Sequence, residues 1–303
     1  MADATLHNHI SRFLITQNQL HNLGGGDGAQ RDGRKMDQSG VKPDKADSAS
    51  VTKKQIKPGQ KEGGFLDTAK VVAQALLIAL VVRSLLFQPF NIPSGSLIPT
   101  LLIGDYLFVS KYAYGYSRFS FPFGLIPFEG RILAADPKRG DVAVFKLPKD
   151  ENTDYIKRVI GLPGDSVQMI DGRLYINGKV VERELVGDYR DDDDAAGNGP
   201  KVPMYRETLP GGVSHMVIER YGDRGPWDNT PLYKVPEGHY FMMGDNRDNS
   251  ADSRDLSAVG FVPFDNFVGR AEVLFFSIDG APAWQLWRWP DAVRWDRLFK
   301  RVR

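Results

Sequence analysis

Hydrophobic and polar positions change rhythm twice along the chain, and each change marks an element. Residues 1–64 are rich in Gly, Asp, Lys, Gln and Ser, with Phe13, Leu14 and Ile15 as their one apolar cluster. Such a leader buries too little surface to offset chain entropy and is expected to be disordered. Residues 65–88, FLDTAKVVAQALLIALVVRSLLFQ, are then apolar over a length that crosses a hydrocarbon core as one helix. Asp67 and Lys70 can lie at one interface, Gln74 sits inside, and Arg83 must snorkel near the other end. A buried or amphipathic soluble helix stays open as the alternative. Lys53, Lys54, Lys57 and Lys61 precede the segment, and after Arg83 no basic residue appears until Lys111. The positive-inside rule therefore puts the leader in the cytoplasm and everything after about Gln88 outside.

Beyond the span the period falls to two. Residues 106–112, 141–146, 155–160, 241–243 and 271–278 are strand-like runs, bounded by Gly-Asp, Pro-Gly-Asp and Asp-Gly turns. Asp171-Gly172 and Asn177-Gly178 predict hairpin turning with a type I′ turn. The expected fold class is mainly β, with one transmembrane helix ahead of a core built from 89–165 and 238–282. Residues 166–237 read as an inserted subdomain, and the acidic stretch 188–199 as a solvated loop. In 283–303, Trp284, Trp287, Trp289 and Trp295 are interleaved with arginines. Trp295, Phe299 and Val302 recur at helical spacing after Pro290, which predicts a basic amphipathic helix that either touches lipid headgroups or packs on its own domain.

Charge and composition narrow the function classes. Across 303 residues, 39 basic groups against 38 acidic ones leave a net charge of +1, which gives no electrostatic reason to expect a nucleic-acid partner. The absence of cysteine excludes disulfides, thiolate nucleophiles and cysteine-ligated metals. His7, His9 and His21 lie in the leader, so only His215 and His239 remain for the folded part, and no histidine-rich zinc site is expected. No cofactor is called for.

Three segments carry unusual chemistry. In PFNIPSGSLIPTLLIGD (89–105), Pro89, Pro93 and Pro99 stiffen the path while Gly95 lets the chain turn between Ser94 and Ser96. Ser96 lies ten residues past Leu86, so an extended link reaches at most ~33 Å at ~3.3 Å per residue, and its chemistry stays close to the bilayer. In DYIKRVIGLPGD (154–165), preceded by RGDVAVFKLP (139–148), alternation puts Tyr155, Lys157 and Val159 on one face. Burial of that face would desolvate Lys157 and lower its pKa, leaving a neutral amine able to take a serine proton. An exposed strand lysine stays open on spacing alone. In GDNRDNSADSR (244–254) a calcium loop fails, because from Asp248 the sixth position is Ser253 rather than Gly and the twelfth Val259 rather than Glu. A turn-rich loop holding Ser250, with Asp252 and Arg254 to stiffen it, remains.

These blocks, in this order after a membrane span, resemble the signature blocks of type I signal peptidases, which are serine endopeptidases of the bacterial cytoplasmic membrane with a Ser/Lys dyad. The resemblance covers roughly residues 65–277. It implies a β-rich catalytic core with an inserted cap, Ser96 as nucleophile and Lys157 as general base. It further implies an oxyanion hole from the Ser94 hydroxyl and the Ser96 N–H, a Ser250 that orients the amine, and support of that loop by Asp252 and Arg254. Phe90, Ile92 and Pro93 would line the substrate groove, with Leu97, Leu107, Tyr155 and Ile156 near its side-chain pockets. The implied partners are signal-peptide-bearing preproteins, with small residues at the first and third positions before the cut, and the lipid bilayer. Leu97 stands where many members have Met. The one convincing span, where some members have two, makes the single-pass topology a reading of this sequence. A catalytically silent, membrane-tethered β domain that binds peptides with the same groove is the rival, although it would need none of Ser96, Lys157 and Ser250. A Ser/Lys self-cleaving repressor is disfavoured by the span and by the lack of a DNA-binding helix pair.

Overall fold

The computed structural model describes residues 64–121, 128–190, 200–280 and 285–303. The leader up to residue 63, positions 191–199 of the acidic stretch and Trp284 lie outside the described residues. The described residues belong to one compact unit.

Leu, Ala and Val dominate α1 (Phe65–Leu85), which is apolar on all sides, with a mean hydropathy of 1.9. Its apolar residues stay exposed, and of the whole helix only Ser84 is buried against the protein. It is the one helix among the described residues long and apolar enough to cross a membrane. The helix is shorter than the 65–88 expected, because Phe87 already begins a strand and Pro89 cannot continue a helix. Its last carbonyls are satisfied from the β body: Lys111 N–H donates to Leu86 O at 3.0 Å and the Tyr116 hydroxyl to Leu85 O at 2.8 Å.

Four strands follow: β1 (Phe87–Asn91), β2 (Asp105–Ser110), β3 (Val142–Lys146) and β4 (Asp154–Gly161). Next come β5 (Ser166–Ile170), β6 (Arg173–Ile176), β7 (Lys179–Val180), β8 (Glu182–Arg190), β9 (Lys201–Thr208), β10 (Ser214–Ile218) and β11 (Tyr233–Lys234). The chain then returns through β12 (His239–Met243), β13 (Val262–Pro263) and β14 (Phe267–Ser277). The fold is mainly β, as the alternation predicts. An antiparallel seven-stranded sheet runs in the order β1-β2-β14-β3-β4-β12-β13. Strands β5 to β11 form two sheets of their own, β10-β9-β8 and β11-β5-β6-β7. Both Asp171-Gly172 and Asn177-Gly178 have positive φ at each residue, as a type I′ turn requires.

The seven-stranded sheet curls. In strand order β1 and β4 are separated by three strands, yet Phe90 of β1 and Ile156 of β4 pack on one apolar core that includes Leu97, Leu107, Val144 and Leu274. Register shifts in β14 supply the local bends. A second core, around Phe145, Val159 and Phe267, takes the Tyr155 side of β4.

The tail departs from expectation. No continuous helix follows Pro290; the residues form short turns and then an extended run. Leu274 N–H donates to Lys300 O at 2.9 Å, Phe299 N–H to Leu274 O at 2.8 Å and Val302 N–H to Glu272 O at 2.9 Å. Pairing with β14 therefore outcompetes the local helical period. Arg297 fixes the arrangement by donating to both carboxylate oxygens of Asp105, at 3.0 and 2.5 Å.

Candidate active site

The loop between β1 and β2 presents Ser96. It closes on itself through Ile92 N–H to Asp105 O at 2.8 Å and Gly104 N–H to Ile92 O at 3.0 Å. Gly104 is at φ +87°, and a Cβ there would run into the Ile278 carbonyl, so only glycine allows this closure. From the other side, residues 245 and 246 clamp the loop. Asn246 N–H donates to Ser96 O at 3.1 Å, Asn246 Nδ2 to Gly95 O at 3.0 Å, and the Thr100 hydroxyl to Asp245 Oδ2 at 2.6 Å. None of these bonds uses the Ser96 N–H. Two residues upstream, Ser94 is exposed.

Lys157, on β4, places Nζ 2.7 Å from Ser96 Oγ and 3.0 Å from Ile156 O. The amine also lies 5.3 Å from the centre of the Tyr155 ring, on the face that the alternation assigns to both. Lys157 is 4% exposed and Ser96 7%. Burial pulls the Lys157 pKa down to about 8, against the smaller opposing pull of Asp252 and Asp245. A neutral amine at this distance can accept the serine proton while donating to Ile156 O.

The 244–254 loop wraps this pair. Arg254 grips Asp252 with two bonds, 2.9 and 2.8 Å, and donates to Arg247 O at 2.6 Å. Asp252 in turn accepts from Gly244 N–H at 3.0 Å. Burial would raise the Asp252 carboxyl, but Arg254 outweighs it and holds the group below its ordinary value. Ser250 is buried in the same loop, and no hydrogen bond joins its hydroxyl to the Lys157 amine. Gly244 explains how close the parts come: a Cβ there would overlap Ser250 Oγ and lie 2.5 Å from Ser96 O.

Of the groove candidates, Ile92, Leu97 and Leu107 are buried in the core, whereas Phe90 and Ile156 are half-buried at its rim. Tyr155 is half-buried against Phe145, and Pro93 is exposed. Among the described residues, the outer edge of β1 has no partner strand, and β12 pairs only with Arg158, Val159 and Gly161 of β4. The stretch 154–157 thus keeps one unpaired edge.

Sequence reasoning missed the charge on the other face of β4. Arg158, wholly buried, holds Asp245 with two bonds at 2.8 and 2.7 Å and donates to Gly140 O at 2.8 Å. Next to this pair, Arg247 reaches into the β8–β10 sheet to hold Glu207, with His215 of β10 between the two carboxylates. Burial, reinforced by Arg158, drops the His215 pKa to about 4, so the ring stays neutral. Asp245 and Asn246 stand inside the GDN block, which was the available signal. Among the described residues no group of three His, Asp or Glu could hold a metal ion.

A serine hydroxyl on a rigid loop against a buried amine of lowered pKa defines a hydrolase-type site. The family model for signal peptidase, peptidase S26, matches residues 65–276. Signal peptidase I of Rickettsia akari is 43% identical over 250 residues, covering 76% of this chain and 90% of the relative. Signal peptidase I of Rickettsia typhi is 43% identical over 245 residues, covering 75% and 90%. A crystal structure of a signal peptidase I from Enterococcus faecalis V583 matches with a TM-score of 0.26 and 30% identity, covering 45% of this chain and 97% of that one. The chain belongs to the signal peptidase family, peptidase S26, and is a serine endopeptidase.

Proposed function

We propose that this chain removes N-terminal signal peptides from exported preproteins at the outer face of a bacterial cytoplasmic membrane, with Ser96 as nucleophile and Lys157 as general base. The observation that carries this reading is the 2.7 Å approach of Lys157 Nζ to Ser96 Oγ in a site closed to bulk water. Ser96 Oγ adds to the scissile carbonyl as its proton passes to Lys157 Nζ. That proton then goes to the leaving amine, and the peptide C–N bond breaks to give an ester on Ser96. Lys157 next takes a proton from water, the hydroxide attacks the ester, and the proton returns to Ser96 Oγ as the signal peptide leaves with a new carboxylate. The Ser96 N–H and the Ser94 hydroxyl stabilise the oxyanion.

The preprotein lies as an extended strand against the unpaired edges of β1 and β4, which offer backbone groups. Its first and third side chains before the cut point toward the rim formed by Phe90 and Ile156, over a floor of Leu97 and Leu107. Asp252 and Arg254 hold the 244–254 loop, and the Lys157 amine is oriented by Ile156 O, since Ser250, buried in that loop, makes no hydrogen bond to it. Helix α1 crosses the bilayer once, with the leader in the cytoplasm. The test is incubation of the detergent-solubilised chain with a preprotein, followed by N-terminal sequencing. A single cut after a small-x-small pattern, abolished in Ser96→Ala, is expected; cleavage that survives in Ser96→Ala refutes the assignment.

A further inference from the structure

A cavity of about 610 Å³ opens where α1 meets the β body. Its wall includes Leu80 and Arg83 of α1, and across from them Lys111 and Phe119. Leu80 lies five residues before the helix end, about 7.5 Å down the axis at ~1.5 Å per residue, so the cavity extends along the span itself. Four cations line it against two carboxylates. Arg118 is paired with Glu151 at 2.6 Å and Lys146 with Asp154 at 2.9 Å, which leaves Arg83 and Lys111. Neither forms an ion pair among the described residues. Lys111 is 3% exposed, and its Nζ donates to Ser120 O at 2.5 Å. Burial, and after it the nearby Arg83, lowers its pKa to about 8, against the smaller opposing pull of Asp154, a carboxylate already paired with Lys146. A buried ammonium facing a second cation is an expensive arrangement unless an anion joins them.

The geometry points to a headgroup site: the phosphate of an anionic glycerophospholipid sits between Arg83 and Lys111, with an acyl chain running down past Leu80. The site rests on reading α1 as a membrane span, since that places the cavity at headgroup depth. The surplus of cations favours a phosphate over an ordinary peptide segment, although Gln88 and Asp154 at the rim adjoin the strand edges proposed to hold substrate. A lipid held here would fix how high the Ser96 loop stands above the bilayer.

The test is native mass spectrometry of the full chain in neutral detergent with equimolar phosphatidylglycerol and phosphatidylcholine. Wild type should retain about tenfold more phosphatidylglycerol, and Arg83→Gln combined with Lys111→Met should bring the ratio close to one. Arg83→Gln alone, on the helix surface, should lower the ratio even if the double variant fails to fold. Equal retention of the two lipids by wild type, or a preference that persists in Arg83→Gln and in the folded double variant, overturns the proposal. So does a several-fold rise in KM for a short soluble peptide in lipid-free detergent, which would assign the cavity to substrate. Lipid retention needs no turnover, so failure of the peptidase reading would be seen separately.

Discussion

Lys157→Met should stabilise the folded body at neutral pH. Lowering the lysine pKa from 10.5 to about 8 means that folding must expel a proton or bury a charge. The penalty is about 3 kcal/mol at pH 7, at ~1.4 kcal/mol per pKa unit. The sign follows from linkage: the unfolded chain binds the proton more tightly, so the fold is penalised fully below pH 8. The penalty shrinks as pH rises toward 10.5, to below about 1 kcal/mol by pH 10. Methionine keeps the stem volume and removes the amine. Its cost is the Ser96 hydroxyl left without this partner, on the order of 1 kcal/mol. The net gain at pH 7 is therefore about 2 kcal/mol, or a Tm rise of roughly 4–8 °C for a body of this size. Thermal melts followed by tryptophan fluorescence in mild detergent, at pH 7 and pH 10, measure it. A Tm gain that is equal at both pH values, or a loss at pH 7, would refute a desolvated amine.

Gly244→Ala should lower kcat by at least about tenfold with a stability loss of about 1–3 kcal/mol, because the new methyl must displace Ser250 or the Ser96 carbonyl; unaltered kcat in the folded variant would contradict the packing described. Arg158→Met should cost about 3–5 kcal/mol by leaving Asp245 buried and uncompensated, and Arg158→Met with Asp245→Leu should recover most of it in a denaturant titration. No recovery in the double variant would mean that the other contacts of Arg158 matter more than the ion pair. In spheroplasts, an external protease should cut the 188–199 stretch and spare the leader, and the reverse pattern would invert the topology.

The strands were legible because a two-residue period survives wherever one face is buried, and the type I′ turns because Asp-Gly and Asn-Gly announce positive φ. Lys157 was legible as a candidate but not its burial. Alternation predicts one covered face, whereas β4 carries buried charge on both, Lys157 toward Ser96 and Arg158 toward Asp245. The Arg158 partner lies 87 residues away, and no local pattern encodes it. The tail misled for a related reason. Its helical spacing was real, but hydrogen bonds to β14 and the grip of Arg297 on Asp105 are tertiary, and they decide the conformation. That same grip ties the tail to the loop that presents Ser96.

The central claim is that a neutral Lys157 amine takes the proton from Ser96. Its most direct test is the single-turnover rate of preprotein cleavage between pH 6 and 9, for wild type and for Lys157→Arg. The rate should climb with unit slope and level off through a midpoint near the lysine pKa of about 8. Lys157→Arg, which keeps the charge but cannot release a proton at these pH values, should be inactive throughout. A flat profile, or cleavage restored by arginine, would contradict the account.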